Sequence, residues 1–266
     1  MTAGLEWHQV DAFVEGPFSG NPAAVYNLPQ WLPDARLQAI AQSHNLSETA
    51  FVVAAAADSW QLRWFTPATE VDLCGHATLA AAWTLFETRA AATAALRFRT
   101  RSGELRVERD GELLRMDFPA LEPQPVADDL AARLGAALGI RPAQVLGNVD
   151  LLAILPDEAA VRALTPDLRA LAVLECRGVI VSAPGDEVDF VSRFFAPGVG
   201  VDEDPVTGSA HCMLAPYWSA RLGRDALLAR QLSRRGGRLH CTRRGDRVLL
   251  AGRCRLFATG RTFLPA

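Results

Sequence analysis

The chain contains no lysine; all 27 of its basic residues are arginine. That absence excludes pyridoxal Schiff-base chemistry, aldolase-type lysine nucleophiles and P-loop phosphate binding. Cysteine is sparse: Cys74, Cys176, Cys212, Cys241 and Cys254 form no C-x-x-C pair, and their number is odd. A disulfide framework or a structural zinc site is therefore not expected. Long apolar runs are also missing. The weakly charged stretch Leu73–Phe86 is too short to span a bilayer and carries a histidine. The first residues show no basic segment followed by an apolar one, so neither a signal peptide nor a membrane partner is expected, and the expected compartment is the cytoplasm.

What remains is a chain of 266 residues, 50% apolar and 21% charged, with 30 acids and a formal charge of −3. That composition can bury a sizeable core as one large domain or two of ordinary size. Charge is uneven, because Arg221 to Arg261 holds twelve arginines against Asp225 and Asp246. No nucleic-acid motif or aromatic platform accompanies them. They are expected on solvent faces of strands, balanced by acids elsewhere, with no nucleic-acid partner.

Strand signals dominate, with a few helices between them. Leu5–Val14, Ala23–Tyr26, Thr49–Ala55 and Trp60–Phe65 read as strands, and Asp34 is a plausible N-cap for a helix to about Ser43. Thr78–Glu87 reads as helix, and Leu96–Phe118 as a meander with the hairpin turn Asp110-Gly111. Pro119–Pro125 has no period and is the best candidate linker. Helices are expected at Ala127–Leu138, Asp157–Leu164 and Pro166–Ala172. Further strands are expected at Leu151–Leu155, Gly178–Ser182 and Val188–Phe195. A helix from about Ser209 and a meander over Leu227–Phe263 complete the chain. Runs of strands with occasional helices predict an α+β fold.

An internal repeat organises these elements. Arg63-Trp64-Phe65-Thr66-Pro67, Val71-Asp72 and Cys74 recur as Arg193-Phe194-Phe195-Ala196-Pro197, Val201-Asp202 and Asp204, at a constant offset of 130. After a short insertion, Gly75-His76-Ala77 matches Gly208-Ser209-Ala210. Two similar halves follow, each presenting a strand, a loop and a helix N-terminus. The expected division is residues 1–118, with a last strand at about 256–266, against residues 119–255.

A small residue at a helix start exposes unpaired backbone N–H groups at the positive end of the helix dipole, a good seat for carboxylate or phosphate. Two such loops facing each other would hold a small anionic, carboxylate-bearing substrate. The first loop carries Cys74 and His76, the second Asp204, Thr207 and Ser209. Glu48, beside the apolar run Ala50–Ala55, is a candidate for proton transfer if partly desolvated. Singly, each has a plainer explanation: a buried thiol, a turn aspartate, a helix cap, a solvated glutamate.

Asp11-Ala12-Phe13, Gly20-Asn21-Pro22-Ala23, Asn45-Leu46-Ser47-Glu48-Thr49-Ala50-Phe51, Cys74-Gly75-His76-Ala77-Thr78 and Glu203-Asp204-Pro205-Val206-Thr207-Gly208-Ser209-Ala210, in this order, resemble the PhzF-like family of phenazine-biosynthesis-type isomerases. The resemblance implies a diaminopimelate epimerase-like fold, with two pseudo-symmetric β-barrel-like halves each around a central helix and the active site between them. It implies a cofactor-independent, metal-free isomerase, commonly a homodimer, that moves a proton between carbons of a small acid. By resemblance Glu48 is the acid and base, and His76 and Asp204 orient the substrate. Gly75, Gly208 and Ser209 bind its carboxylate. Cys74 sits where related two-base epimerases carry one of a cysteine pair, which keeps open an epimerase using Cys74, as well as a non-catalytic binding protein. Pro216 is expected to kink or shorten the second central helix.

Overall fold

The computed structural model describes residues 4–56, 59–88 and 93–264. Along the chain, β1 (Leu5–Ala12), β2 (Asn21–Leu28), α1 (Asp34–His44), β3 (Glu48–Ala56), β4 (Ser59–Phe65), β5 (Glu70–Val71), α2 (Gly75–Thr88), β6 (Ala95–Thr100), β7 (Gly103–Asp110) and β8 (Leu113–Pro119) come first. Next are β9 (Gln124–Pro125), α3 (Asp128–Leu138), β10 (Gln144–Gly147), β11 (Leu151–Ile154), α4 (Glu158–Ala163), α5 (Leu168–Ala172), β12 (Val179–Pro184) and β13 (Phe190–Phe195). A 3-10 turn (Pro197–Val199), α6 (Gly208–Leu222), β14 (Ala226–Gln231), β15 (Gly237–Arg244), β16 (Arg247–Gly252) and β17 (Cys254–Thr262) complete it. The chain separates into two compact units: Met1–Asp117 with Ala251–Ala266, and Phe118–Leu250.

In the first unit β1 pairs antiparallel with both β17 and β2. The order then runs β2–β3 parallel, β3–β4 antiparallel, β4–β6 parallel and β6–β7 antiparallel. The second unit repeats the pattern as β10–β11 antiparallel, β11–β12 parallel, β12–β13 antiparallel, β13–β14 parallel and β14–β15 antiparallel. The register repeats as well. Thr49 lies opposite Phe65 and Phe51 opposite Arg63; 130 residues on, Val179 lies opposite Phe195 and Val181 opposite Arg193. A one-residue slip would turn every side chain to the other face, so the shared offset means shared inward-facing positions.

Each unit wraps its strands around one helix. In α2 all residues from His76 to Phe86 except Trp83 are buried, and α6 is buried from Ala210 to Pro216. Neither is amphipathic, because strands surround them; alanines on α2 let the sheet approach closely. Leu79, Leu85 and Phe86 are completely or almost completely buried, worth about 1.5–3 kcal/mol each. A second layer packs outside: Leu37, Ile40 and Ala41 of α1 meet Tyr26, Phe51 and Phe65. In the second unit Leu134, Leu138, Val161 and Leu171 of α3, α4 and α5 meet Val179, Val181 and Phe195. Strands covered on both faces are apolar throughout, as Val179-Ile180-Val181 shows.

Three local expectations change. Asp34 is the first helical residue of α1 rather than its cap; Pro33 holds the cap position and makes no side-chain cap bond. The Asp34 carboxylate pairs with Arg63 at 2.9 Å instead. The strand after Gly20 begins at Asn21 and includes Pro22. Pro216 does not shorten α6, which runs 15 residues through it. The proline lacks the N–H that the Cys212 carbonyl would receive, and the backbone N–H of Leu121, in the proline-rich stretch, supplies it at 2.9 Å. The external donor removes much of the cost of an interior proline.

Five of the arginines of the C-terminal part meet acids within their own units. Arg224 pairs with Asp189, Arg230 with Glu187, Arg243 with Glu122, Arg253 with Glu112 and Arg261 with Glu6. No helix among the described residues is long and apolar enough to cross a membrane.

Candidate active site

Helix α1 ends at Asn45 in the left-handed region, φ 50° and ψ 34°, which asparagine tolerates better than most residues. The reversal sends the chain through Leu46-Ser47 into β3, whose first residue is Glu48. Glu48 lies opposite Ala23 of β2, two residues beyond Asn21. Gly20 fixes the entry to β2: its φ is +86°, and a Cβ there would stand 2.6 Å from the Ala12 carbonyl. From the other side, the turn after β5 delivers Cys74 and the N-terminus of α2.

These segments bring Glu48, Cys74, Gly75 and His76 together. Glu48 Oε2 lies 3.1 Å from His76 Nε2, with the glutamate side chain 18% and the histidine 6% exposed. The contact is an ion pair without hydrogen-bond alignment, so a buried carboxylate oxygen lacks a well-aligned donor. On the opposite edge of the ring, Nδ1 lies 3.2 Å from Asn21 Nδ2 and 3.5 Å from Cys74 Sγ. The turn is tied to its helix by Thr78, whose N–H and hydroxyl both donate to the Cys74 carbonyl.

Electrostatics separate the three titratable groups. Burial, and then the charge of Glu48, push the Cys74 thiol up to about 11. For His76, burial opposes the imidazolium while the charges of Cys74 and Glu48 favour it and prevail, so the ring titrates well above its ordinary value. Near neutral pH the thiol is uncharged, which leaves Glu48 as the group acting on the ring. The donor atoms of Glu48, Cys74 and His76 lie within 4.8 Å of one another, close enough for a metal ion. The imidazole, however, turns Nε2 to Glu48 and Nδ1 to Cys74. A ligand set needs one nitrogen converging with both partners, so the geometry is that of a bridging ring rather than a chelate.

In the second unit the structure brings Asp204, Thr207, Gly208 and Ser209 together at the start of α6. Sequence reasoning missed what holds them. Gln231, wholly buried on β14, accepts from the Thr207 N–H at 2.9 Å and donates to the Asp204 carbonyl at 2.8 Å. The Thr207 hydroxyl donates to the Asp204 carboxylate. Arg177 was also missed. It donates to Ser209 Oγ at 3.1 Å and is anchored by the buried Asp150. The one available signal was an arginine just before a buried strand. His211 donates through Nδ1–H to the Thr207 carbonyl at 2.8 Å and is pushed by burial down to about 4, so it is a neutral core histidine.

The repeat acquires a sharper register at these loops. Arg63 grips Glu70 through Nε and Nη2, both at 2.7 Å, and Arg193 grips Glu203 the same way at 2.7 and 3.0 Å. Such forked pairs fix the loop return in both units. Counted from these clips, as from the helix starts, the offset is 133, which places Thr207 and not Asp204 at the position of Cys74. Neither α2 nor α6 has an acid in its first turn, so both helix tips keep their attraction for an anion.

The chain matches the phenazine biosynthesis-like protein family, PhzC-PhzF, over residues 10–260. A Pseudomonas aeruginosa protein named as an uncharacterized isomerase is 57% identical over 97% of this chain and 98% of its own length. A PhzF-family phenazine biosynthesis protein from Enterococcus faecalis has a crystal structure with a TM-score of 0.93 at 47% identity, covering 98% of this chain and 100% of that one. A probable proline racemase from Agrobacterium radiobacter shares the fold alone, with a TM-score of 0.62 at 12% identity over 98% of this chain and 93% of that one. The chain therefore belongs to the phenazine biosynthesis-like family, with the α+β diaminopimelate epimerase-like fold and isomerase chemistry.

Proposed function

We propose that this isomerase moves a proton between carbons of a small carboxylic acid, with Glu48 as both acid and base and no metal or organic cofactor. One observation carries the reading: Glu48 Oε2 is withdrawn from water, 3.1 Å from Nε2 of His76 at the tip of α2, without a well-aligned donor. Such a carboxylate oxygen has no well-aligned donor competing for the lone pair that would accept a carbon-bound proton. Glu48 takes the proton from a carbon conjugated with the substrate carboxylate. The imidazolium of His76 and the first-turn N–H groups at Gly75 stabilise the negative charge that develops. Protonated Glu48 then returns the proton to a second carbon. Gly208 and Ser209, with Arg177 alongside, are proposed to bind carboxylate, and Asp204 to orient a polar substituent.

The test incubates the enzyme in D2O with a panel of small unsaturated carboxylic acids, read by NMR and mass spectrometry. The wild type should place solvent deuterium on a substrate carbon. Glu48→Gln should lose this by about 10²–10⁴-fold, while the same acid still raises its melting temperature. Full exchange in Glu48→Gln would overturn the assignment.

A further inference from the structure

Asn21 is among the few polar side chains with no exposure, on the inner end of β2, and the proton transfer described above gives it no role. Its carboxamide faces Nδ1 of His76 at 3.2 Å, on the edge of the ring opposite Glu48. Gly20, which only a glycine fits, and the ladder pairing of Asn21 with Ala12 fix that placement. Cys74 shares the Nδ1 edge at 3.5 Å. Among the described residues, the titratable groups acting on the ring are Cys74, from the turn before α2, and Glu48, from β3.

We infer that Asn21 is the positioning residue of the Glu48–His76 pair, serving either charge state of the ring by turning its carboxamide. Nδ2 donates to Nδ1 of the neutral ring; with the amide turned by half a revolution, Oδ1 accepts from Nδ1–H of the imidazolium. While Glu48 is a carboxylate it holds the ring as the imidazolium, and once Glu48 carries the substrate proton the negative charge left on the substrate does so; in the free enzyme at higher pH the ring is neutral, and the amide fits that state as well. An aspartate in place of Asn21 would be an acceptor only. It would lock the imidazolium and hold Glu48 as carboxylate, hindering the step in which Glu48 takes the substrate proton.

The inference rests on the proposed shuttle, but its test needs no substrate. Ring-labelled histidine is followed by 15N NMR across pH in the full-length enzyme. In the neutral form of wild-type His76 the proton should sit on Nε2, with Nδ1 as acceptor; a proton on Nδ1 overturns the inference without any variant. Asn21→Asp should move the His76 titration up, and Asn21→Leu down, each by about one pH unit. A carboxylate placed beside the ring raises the titration whatever the asparagine does, so Asn21→Leu is the deciding variant, and a titration that it leaves in place overturns the inference. Glu48→Gln, measured in parallel, should lower the titration. If it does not, the Glu48–His76 pairing fails; if it does while Asn21→Leu leaves the titration in place, the role of Asn21 alone fails.

Discussion

Replacing Gln231 by methionine, which has similar length and no branching, should weaken the second unit and loosen the start of α6. Gln231 has no exposure. It makes three hydrogen bonds: from the Thr207 N–H at 2.9 Å, to the Asp204 carbonyl at 2.8 Å and to the Thr207 hydroxyl at 3.2 Å. Methionine fills the space but leaves the Thr207 N–H without that acceptor and the Asp204 carbonyl without that donor. An unmade bond at a buried backbone group costs about 1–3 kcal/mol. The Thr207 amide is buried and Asp204 is partly exposed, so water relieves the carbonyl more than the amide. The expected loss is about 2–4 kcal/mol, most of it from Thr207. Urea unfolding followed by circular dichroism should show a lower midpoint, and hydrogen exchange at the Thr207 amide should accelerate by more than tenfold, since each 1.4 kcal/mol is about a factor of ten. Because methionine preserves apolar volume, packing loss cannot account for the change. An unchanged midpoint together with an unchanged Thr207 exchange rate would refute the claim that Gln231 holds this loop.

Cys74→Ala should retain most of the turnover, and iodoacetamide should modify Cys74 very slowly at pH 7, because a thiol pushed up to about 11 is about one part in ten thousand thiolate there; complete loss in Cys74→Ala, measured by deuterium uptake, would instead make it a catalytic thiol. His211 is held neutral in the folded state, down to about 4, against about 6.5 unfolded. Between those values the unfolded chain binds the extra proton, so this group removes stability as pH falls from about 6.5 towards 4, and His211→Gln should flatten that limb of the urea midpoint against pH. Gly20→Ala should cost at least about 1 kcal/mol, since it combines a φ of +86° with a Cβ 2.6 Å from the Ala12 carbonyl; thermal melting reads the loss, and an unaltered melting temperature would contradict the strained entry to β2.

The duplicated design was legible because it is written in side chains that face inward. Arg63 and Arg193, and Phe65 and Phe195, occupy matching ladder positions, and packing tolerates little change there. The segments that carry Glu48, His76 and Asp204 were legible through motif. Their partners were not. Gln231 lies 24 residues beyond Thr207 and Arg177 lies 32 before Ser209; single glutamines and arginines in strand-rich sequence have no local pattern that marks them. Asn21 stood inside a noted motif, yet only the packing of α2 against β2 sets it against a ring 55 positions away. The misread capping role of Asp34 has the same origin, since its carboxylate answers to Arg63 across the fold rather than to its own helix.

The loop register adds a last consequence for the chemistry. Strand matching sets Asp204 against Cys74, whereas the forked Arg–Glu clips and the helix starts set Thr207 against it. A threonine hydroxyl that donates to Asp204 does not ionise near neutral pH and is no mirror-image base. The first unit thus offers a carboxylate and a charged imidazole at its helix tip, and the second a hydroxyl, a carboxylate and an arginine at its own. Side chains so unequal favour one base that both removes and returns a proton over two opposed bases of equal kind. The distinction is measurable. A single shuttling base carries some substrate-derived hydrogen back to product, so with deuterated substrate in H2O a fraction of the label should survive each early turnover. Label lost completely from the first turnover, at every substrate concentration tested, would argue for two bases exchanging independently with water and against Glu48 acting alone.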